Sequence, residues 1–156
     1  MRGPVIRVTN AQREAPIDIS RMRHVARCVI RRLRIRTSGT LAMTFIGSRR
    51  MQALNERFLR HDRPTDVLSF RYEREPIIGE ILIAPRQARS YARGRRIPYE
   101  QELARYVVHG LLHWLGQEDR TRAQRWKMRV MEDRLLRHAA YSVQRVAYRR
   151  PKSAKR

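Results

Sequence analysis

The first half of the chain alternates between stretches of helical period and short apolar runs. Apolar residues recur every three or four positions after Ile19, which predicts an amphipathic helix capped by Asp18 and ended by the segment 37–39. Ser48 is predicted to cap a second helix, which ends before a turn at 61–64. Short apolar runs without this period predict strands. We assign them to Val5–Val8, Leu41–Ile46, Val67–Phe70 and Glu80–Ile83.

Helical patterns dominate the second half. Pro85 suits the first turn of a short helix that stops at Gly94. A longer helix is predicted from Tyr99 to Leu115, with Gly116 in a left-handed conformation behind it, and the last helix follows Thr121. This order of elements predicts an α+β fold in which a small mixed sheet of about four strands packs against helices.

Length and composition limit the class of protein. The chain has 156 residues, 42% of them apolar, which predicts a single domain over residues 1–148 and a basic, disordered tail at 149–156. Cys28 is the one cysteine, which argues against a disulfide-stapled secreted domain. No apolar run approaches the roughly 20 residues that cross a bilayer. We therefore expect a cytoplasmic protein without a membrane partner.

The charge balance changes the expected partner. Lys and Arg number 36 against 14 Asp and Glu, a formal net charge of +22. This surplus favours a polyanion, because phosphates release counterions when basic side chains replace them. Almost all the basic residues are arginine, which binds phosphate through a planar fork, but a GC-rich genome and a solvated surface explain the same bias. The densest local run contains Arg86, Arg89, Arg93, Arg95 and Arg96.

Two histidines one helical turn apart are the main candidates for chemistry. His109 and His113 project from one face of a helix, so their imidazoles can share an ion. Gly116 lets the chain turn back, so Asp119 can supply a third ligand and leave a fourth position open, as in catalytic zinc sites. The alternative is a pair of hydrogen-bonded core histidines. Gly110 stands where the HExxH motif has its general base, which argues against peptidase chemistry.

Several blocks of residues resemble one family. The segment His109-Gly110-Leu111-Leu112-His113, with Gly116 and a ligand at 119, resembles the signature of the YbeY-type rRNA maturation endoribonucleases. The other matching blocks are Leu54-Asn55, Asp62, Pro64-Thr65-Asp66-Val67-Leu68-Ser69-Phe70, Gly79-Glu80-Ile81, and Met128 with Glu132 and Leu135. They follow in order and with matching spacing, and together they cover residues 41–136.

The resemblance implies a zincin-like metal-site helix and a zinc-dependent endoribonuclease. In this family the enzymes trim ribosomal RNA, notably near the 3′ end of the small-subunit RNA, and take part in ribosome quality control. The implied partners are ribosomal RNA and the small ribosomal subunit, with ribosomal proteins or GTPases as candidate protein partners. The implied metal ligands are His109, His113 and Asp119, where the family usually has a third histidine. A carboxylate is an accepted zinc ligand, and it also suits harder divalent ions.

The resemblance and the arginine pattern together nominate residues that contact RNA. The family has an arginine directly after an aromatic residue, whereas Phe58 is followed by Leu59. Arg60 or Arg57 can take its place, and Arg60 is the candidate catalytic arginine. The candidate substrate-binding residues are Arg63, Thr65, Asp66, Arg93, Arg95 and Arg96. Asp66 is also a candidate acceptor for a ligand imidazole, or a turn cap. The competing function is an rRNA-binding ribosome-assembly factor with a structural metal and no cleavage activity.

Overall fold

The computed structural model describes residues 2–58 and 66–141. In chain order, the elements in these ranges are β1 (Val5–Ala11), α1 (Ile19–Arg32), β2 (Thr40–Ile46), α2 (Ser48–Phe58), β3 (Val67–Arg71), β4 (Ile77–Ile83), α3 (Pro85–Arg95), α4 (Tyr99–Trp114) and α5 (Arg122–His138). The predicted α+β class and order of elements are confirmed. The predicted turn at 61–64, the domain end at 148 and the tail at 149–156 lie outside the described residues.

The four strands form one mixed sheet in the order β1-β2-β4-β3. β1, β2 and β4 run parallel, and β3 pairs antiparallel with β4 at one edge. Because parallel neighbours require a crossover, α1 returns the chain from β1 to β2. The carboxyl ends of the three parallel strands, at Ala11, Ile46 and Ile83, therefore lie at the same edge of the sheet.

Apolar side chains cover both faces of the sheet. The larger cluster joins the sheet to α1, α4 and α5, and it includes the fully buried Val25, Ile81, Leu111 and Leu136. The smaller cluster lies under α2. α4 is the central helix of the larger layer and buries ten of its sixteen residues. Within the described ranges, no helix combines the length and hydropathy needed to span a membrane.

The backbone of α4 lies close against the sheet at Gly110. A Cβ atom on this residue would lie 2.6 Å from Ile81 Cγ2 and 3.0 Å from Val67 Cγ1. The Ser69 hydroxyl donates a hydrogen bond to the Gly110 carbonyl oxygen at 2.8 Å, which fixes the helix on β3. A glutamate at position 110 would collide with the sheet. The packing of this helix therefore explains why position 110 does not carry the glutamate of the HExxH motif.

Two of the predicted helix limits are wrong. α1 ends at Arg32 rather than at 37–39, because Arg34 adopts a φ of +54° and the Ile35 N–H bonds back to Ile30 O. Ser48 does not cap α2, since its own N–H and hydroxyl donate to the Glu14 carboxylate at 3.0 Å. A carboxylate from the segment after β1 thus takes the capping position.

The remaining boundaries differ by smaller amounts. α3 continues through Gly94 to Arg95 and ends with Arg96 at a φ of +54°. β1 extends to Ala11 because it pairs with β2 along its whole length, although its last residues are exposed and polar. β4 begins at Ile77, three residues before the predicted start. The left-handed conformation predicted after α4 is confirmed, with Gly116 at a φ of +92°.

Candidate metal centre

The two histidines of α4 face each other. The Nε2 atoms of His109 and His113 lie 2.9 Å apart, and the ring planes are inclined by 78°. Each side chain is 28% exposed, so neither is enclosed in the core. The one-turn spacing thus places both imidazoles on the same side of the helix, as the sequence predicts.

A loop after α4 adds a carboxylate to this pair. Gly116 turns the chain out of the helix, and Asp119 then returns toward it. The Asp119 Oδ2 atom lies 3.5 Å from His109 Nε2 and 3.3 Å from His113 Nε2. The three residues form the candidate metal centre.

The start of α5 holds the loop in place. Thr121 and Gln124 form a capping box, in which each side chain bonds the other residue's backbone N–H. The Gln124 side chain also accepts from the Arg120 N–H at 3.0 Å, and Arg125 donates to the Arg120 carbonyl oxygen at 2.7 Å. The residues directly after Asp119 are therefore tied to the first turn of α5.

The three donor atoms have the spacing of ligands around a small divalent cation. They form a triangle with edges of 2.9, 3.3 and 3.5 Å. Tetrahedral zinc, with bonds of about 2.0–2.1 Å, keeps its ligands about 3.4 Å apart. The circle through the three atoms has a radius of about 1.9 Å, slightly less than such a bond. Two imidazoles and a carboxylate are also a donor set that zinc accepts, so the residues fit a divalent ion.

A buried glutamate orients the first histidine. The Nδ1–H of His109 donates to Glu132 Oε2 at 2.8 Å, which leaves the Nε2 lone pair directed at the centre. The Glu132 side chain is only 5% exposed, and its Oε1 accepts from Arg105 at 3.2 Å. Arg105 in turn donates to Asp133 at 2.7 Å. A buried arginine therefore fixes the carboxylate that fixes the ligand ring.

The local charges favour a cation. Burial lowers the pKa of His109, but the hydrogen bond and charge of Glu132, with smaller effects of Asp119 and Asp66, raise that pKa overall. The hydrogen bond from His113 lowers the pKa of Asp119, so this carboxylate is ionised. The carboxylates of Asp119 and Glu132 thus contact the two imidazoles, and the negative charge of Asp119 favours a bound cation.

Comparison with known proteins identifies the family of this chain. A family model described as Endoribonuclease YbeY matches residues 7–140. The chain belongs to this family. The Endoribonuclease YbeY of Flavobacterium psychrophilum is 34% identical over 102 residues, which are 65% of this chain and 73% of the relative. That of Phocaeicola vulgatus is 32% identical over 116 residues, which are 74% of this chain and 80% of the relative.

A solved structure shows the same fold as this YbeY-family chain. The solution structure of a Thermotoga maritima protein superposes with a TM-score of 0.57. The two chains are 22% identical, and the match covers 93% of this chain and 100% of the other. The mixed sheet and its helices are therefore shared beyond the relatives with clear sequence similarity.

Asp66 lies beside the candidate metal centre without contacting the ligand rings through a hydrogen bond. Its Oδ2 accepts from the Tyr106 hydroxyl at 3.0 Å. Burial raises the pKa of Asp66, and the bond from Tyr106 opposes that rise. The acceptor role considered for Asp66 belongs instead to Glu132, which bonds His109 directly.

The arginines predicted to bind RNA from α3 do not form one surface. The guanidinium carbon of Arg95 lies 3.6 Å from the centre of the Tyr91 ring. Arg93 projects from the opposite flank of the helix, because two residues correspond to about 200° of rotation. Arg96 is the left-handed residue that ends α3. Arg60, Arg63 and Thr65 lie outside the described residues.

Sequence reasoning gave Glu132 and Arg105 no role in the site of this YbeY-family chain. The sequence around each of these two residues nevertheless contains a feature that could have revealed such a role. Glu132 falls within the apolar stripe of the last helix, between Met128 and Leu135, and Arg105 lies in a helix that is otherwise mostly apolar. A charged residue on a buried helix face requires a charged or hydrogen-bonded partner.

Proposed function

We propose that this protein is a metal-dependent endoribonuclease that cleaves ribosomal RNA. The observation that carries the proposal is the convergence of His109, His113 and Asp119 on one point, with Glu132 behind His109. Membership of the YbeY family and the names of its curated relatives support the reaction class, hydrolysis of a phosphodiester bond. The net charge of +22 supports a polyanionic substrate.

We propose zinc as the ion, one per chain, with His109, His113 and Asp119 as its ligands. The spacing of the donor atoms and the partial exposure of all three side chains support a centre with an open fourth position. A zinc ion bound in this way supplies a water of lowered pKa and polarises a phosphodiester oxygen. Because Asp119 is a hard oxygen ligand, other divalent ions are further candidates.

The residues of the chain supply orientation and charge. Glu132 accepts the Nδ1 proton of His109 and so keeps Nε2 directed at the centre, and Arg105 keeps Glu132 in position. Basic side chains near the centre hold phosphates and offset the negative charge that develops on them. We propose Arg60 as the catalytic arginine, and we propose as substrate-binding residues Arg63, Thr65, Asp66, Arg93, Arg95 and Arg96.

The finer assignment of substrate and partners also belongs to this proposal. We propose single-stranded RNA near the 3′ end of the small-subunit ribosomal RNA as the substrate, acted on in the cytoplasm. The small ribosomal subunit would then be the main partner, and a ribosomal protein or GTPase would recruit the enzyme. The family resemblance and the basic charge support this assignment.

One experiment tests the metal and the activity together. The purified protein is analysed for bound metals and incubated with a ribosomal RNA fragment, with and without chelator. His113→Ala removes a proposed ligand, and His138→Ala, at an exposed position on the last turn of α5, is the matched control. We expect about one zinc per chain and chelator-sensitive cleavage in the wild type and the control, and neither in His113→Ala. Salt-sensitive RNA binding without cleavage would contradict the proposal and identify an assembly factor.

A further inference from the structure

A second basic site lies at the edge of the sheet where the three parallel strands end. In open α/β sheets, ligands bind beyond the carboxyl ends of the strands. A cleft of about 300 Å³ lies there. It is lined by Glu14, Arg86, Arg89, Ser90 and Arg93. None of these residues belongs to the candidate metal centre.

The three arginines of the cleft form one row on α3. Arg86, Arg89 and Arg93 are spaced three and four residues apart, so they share one face of the helix and span about 10 Å along its axis. All three are exposed. Within the part of the chain that the structure describes, Arg93 makes no hydrogen bond or ion pair. Guanidinium groups placed in this way suit the successive phosphates of a polymer.

The one carboxylate in the cleft is already engaged. Glu14 accepts from the Ser48 N–H and hydroxyl, each at 3.0 Å, and so caps α2. Its contact with Arg86 is longer, at 3.9 Å, and that arginine side chain stays 65% exposed. Arg89 donates to the Glu14 backbone carbonyl oxygen, at 3.4 Å, rather than to its carboxylate. Of the three guanidinium groups, only that of Arg86 pairs with the Glu14 carboxylate, so three positive charges face one negative charge and the cleft keeps a net positive charge.

The other flank of α3 lies toward the candidate metal centre. Arg95 stacks on Tyr91, and Tyr91 is close enough to Tyr106 for the two phenols to interact electrostatically. The Tyr106 hydroxyl bonds Asp66, which interacts with the charge of His109. α3 therefore presents arginines on two sides. Arg95 lies on the flank of Tyr91, and the opposite flank carries the cleft arginines Arg86, Arg89 and Arg93.

We propose that the cleft formed by Arg86, Arg89 and Arg93 is a second RNA-binding site, which holds the phosphodiester backbone of the substrate strand away from the metal centre. The inference deepens the proposed function and rests on it. A free nucleotide offers the same phosphate chemistry. The extended row of arginines and the absence of an aromatic ring among the lining residues favour a polymer backbone over a single stacked base.

The test compares two triple variants with equal loss of charge. Arg86, Arg89 and Arg93 are changed to Gln in the first, and the exposed Arg27, Arg31 and Arg32 of α1 in the second. The affinity for a labelled single-stranded ribosomal RNA fragment is measured by fluorescence anisotropy over a range of salt concentrations. Each phosphate contact on a single strand adds about 0.7 to the salt slope, so the cleft variant should lose about 2 from it. The α1 variant should lose less than half as much, and the KM for cleavage should rise only in the cleft variant.

Two further variants keep the test decisive if the triple Gln variant of the cleft misfolds. Replacing the three cleft arginines with Lys keeps the charge, and we expect it to restore most of the slope. Arg93→Gln alone breaks no hydrogen bond or ion pair within the described residues, and it should lower the slope by about 0.7. Equal slopes for the cleft and α1 variants would overturn the inference while leaving the proposed function intact. A wild-type protein that neither binds nor cleaves RNA would instead overturn the proposed function.

A titration with ATP distinguishes an RNA backbone from a free nucleotide as the ligand of the cleft. We expect ATP to bind weakly and to be displaced by the RNA fragment. Tight ATP binding that is lost in the cleft variant, with an unchanged RNA salt slope, would assign the cleft to a free nucleotide and overturn the inference.

Discussion

Glu132 links the candidate metal centre to the buried core, because it contacts both His109 and Arg105. Its replacement by glutamine tests whether it affects the affinity for the metal separately from the stability of the fold. Glu132→Gln keeps the size of the side chain and leaves an amide oxygen that can accept from His109 Nδ1–H. It removes the negative charge that faces His109 at 2.8 Å and Arg105 at 3.2 Å. The ligand ring then loses its ionised acceptor, while the three proposed ligands remain.

The expected effect on zinc affinity follows from the role of this hydrogen bond. Bonds with an ionised partner are roughly twice as strong as neutral ones. Loss of a residue that orients a metal-ligating histidine weakens metal binding by about 10–100-fold, or about 1.4–2.8 kcal/mol. We expect Glu132→Gln to fall in this range. Because Arg105 keeps Asp133 at 2.7 Å, the free energy of unfolding should fall by less than the roughly 3–5 kcal/mol of a broken buried pair.

Asp133→Asn is the matched control. Asp133 is the other carboxylate partner of Arg105, and its hydrogen bond to Arg105 does not involve His109. Zinc affinity is measured by competition with a chelator at one pH, and the free energy of unfolding by urea denaturation of the metal-free proteins. We expect both variants to be less stable than the wild type, and only Glu132→Gln to bind zinc more weakly.

The zinc affinities of Glu132→Gln and Asp133→Asn decide whether Glu132 orients His109. Zinc affinities that agree within about threefold between the two variants would refute the reasoning, because Glu132 would then act through packing alone. A similar fall in stability is expected for both variants and is therefore not evidence for the orienting role.

Three further predictions concern other parts of the fold and the site. Gly110→Ala places a methyl group 2.6 Å from Ile81 Cγ2 and should lower the free energy of unfolding by about 1–3 kcal/mol. Gly94→Ala, with no atom within 4 Å, should raise it by about 0.5–1 kcal/mol, and equal effects in urea denaturation would contradict the close approach of α4. Asp119→Ala should weaken zinc binding by more than the roughly 100-fold expected for a supporting residue, and Asp119→His should restore it; an unchanged affinity in the alanine variant, measured by chelator competition, would exclude Asp119 as a ligand. Burial raises the pKa of Glu102, so the native state disfavours the charged carboxylate. The free energy of unfolding is therefore highest below the unfolded-state pKa of this group, and it falls as the pH rises through the raised native pKa. Glu102→Gln should therefore gain stability relative to the wild type as the pH rises above the ordinary carboxyl pKa of about 4, and parallel stability curves would contradict this.

The elements with local signals could be predicted from the sequence. α4 and α5 begin at the predicted positions, directly after Pro98 and Thr121, and Gly116 marks the end of α4. The spacing of His109 and His113 likewise fixes their relative direction within one helix. Each of these features depends on residues a few positions apart, so the chain reveals them without its tertiary structure.

Features that depend on distant residues could not be predicted in this way. The cap of α2 comes from Glu14, which is 34 residues before Ser48. The acceptor for His109 comes from Glu132, 23 residues later, and only the docking of α5 brings them together. The early end of α1 depends on a non-glycine residue, Arg34, in a left-handed conformation.

α5 contributes to the candidate centre at two points, since it anchors the loop of Asp119 and carries Glu132. Metal occupancy and the attachment of this helix to α4 are therefore linked equilibria. An ion present at a hundred times its Kd adds about 2.7 kcal/mol to the native state, and detachment of α5 would forfeit that amount. Loss of the ion would make detachment of α5 easier by that amount, and detachment would uncover Leu135 and Leu136 to proteases. Through this linkage, the supply of the ion would influence the lifetime of the protein as well as the proposed activity.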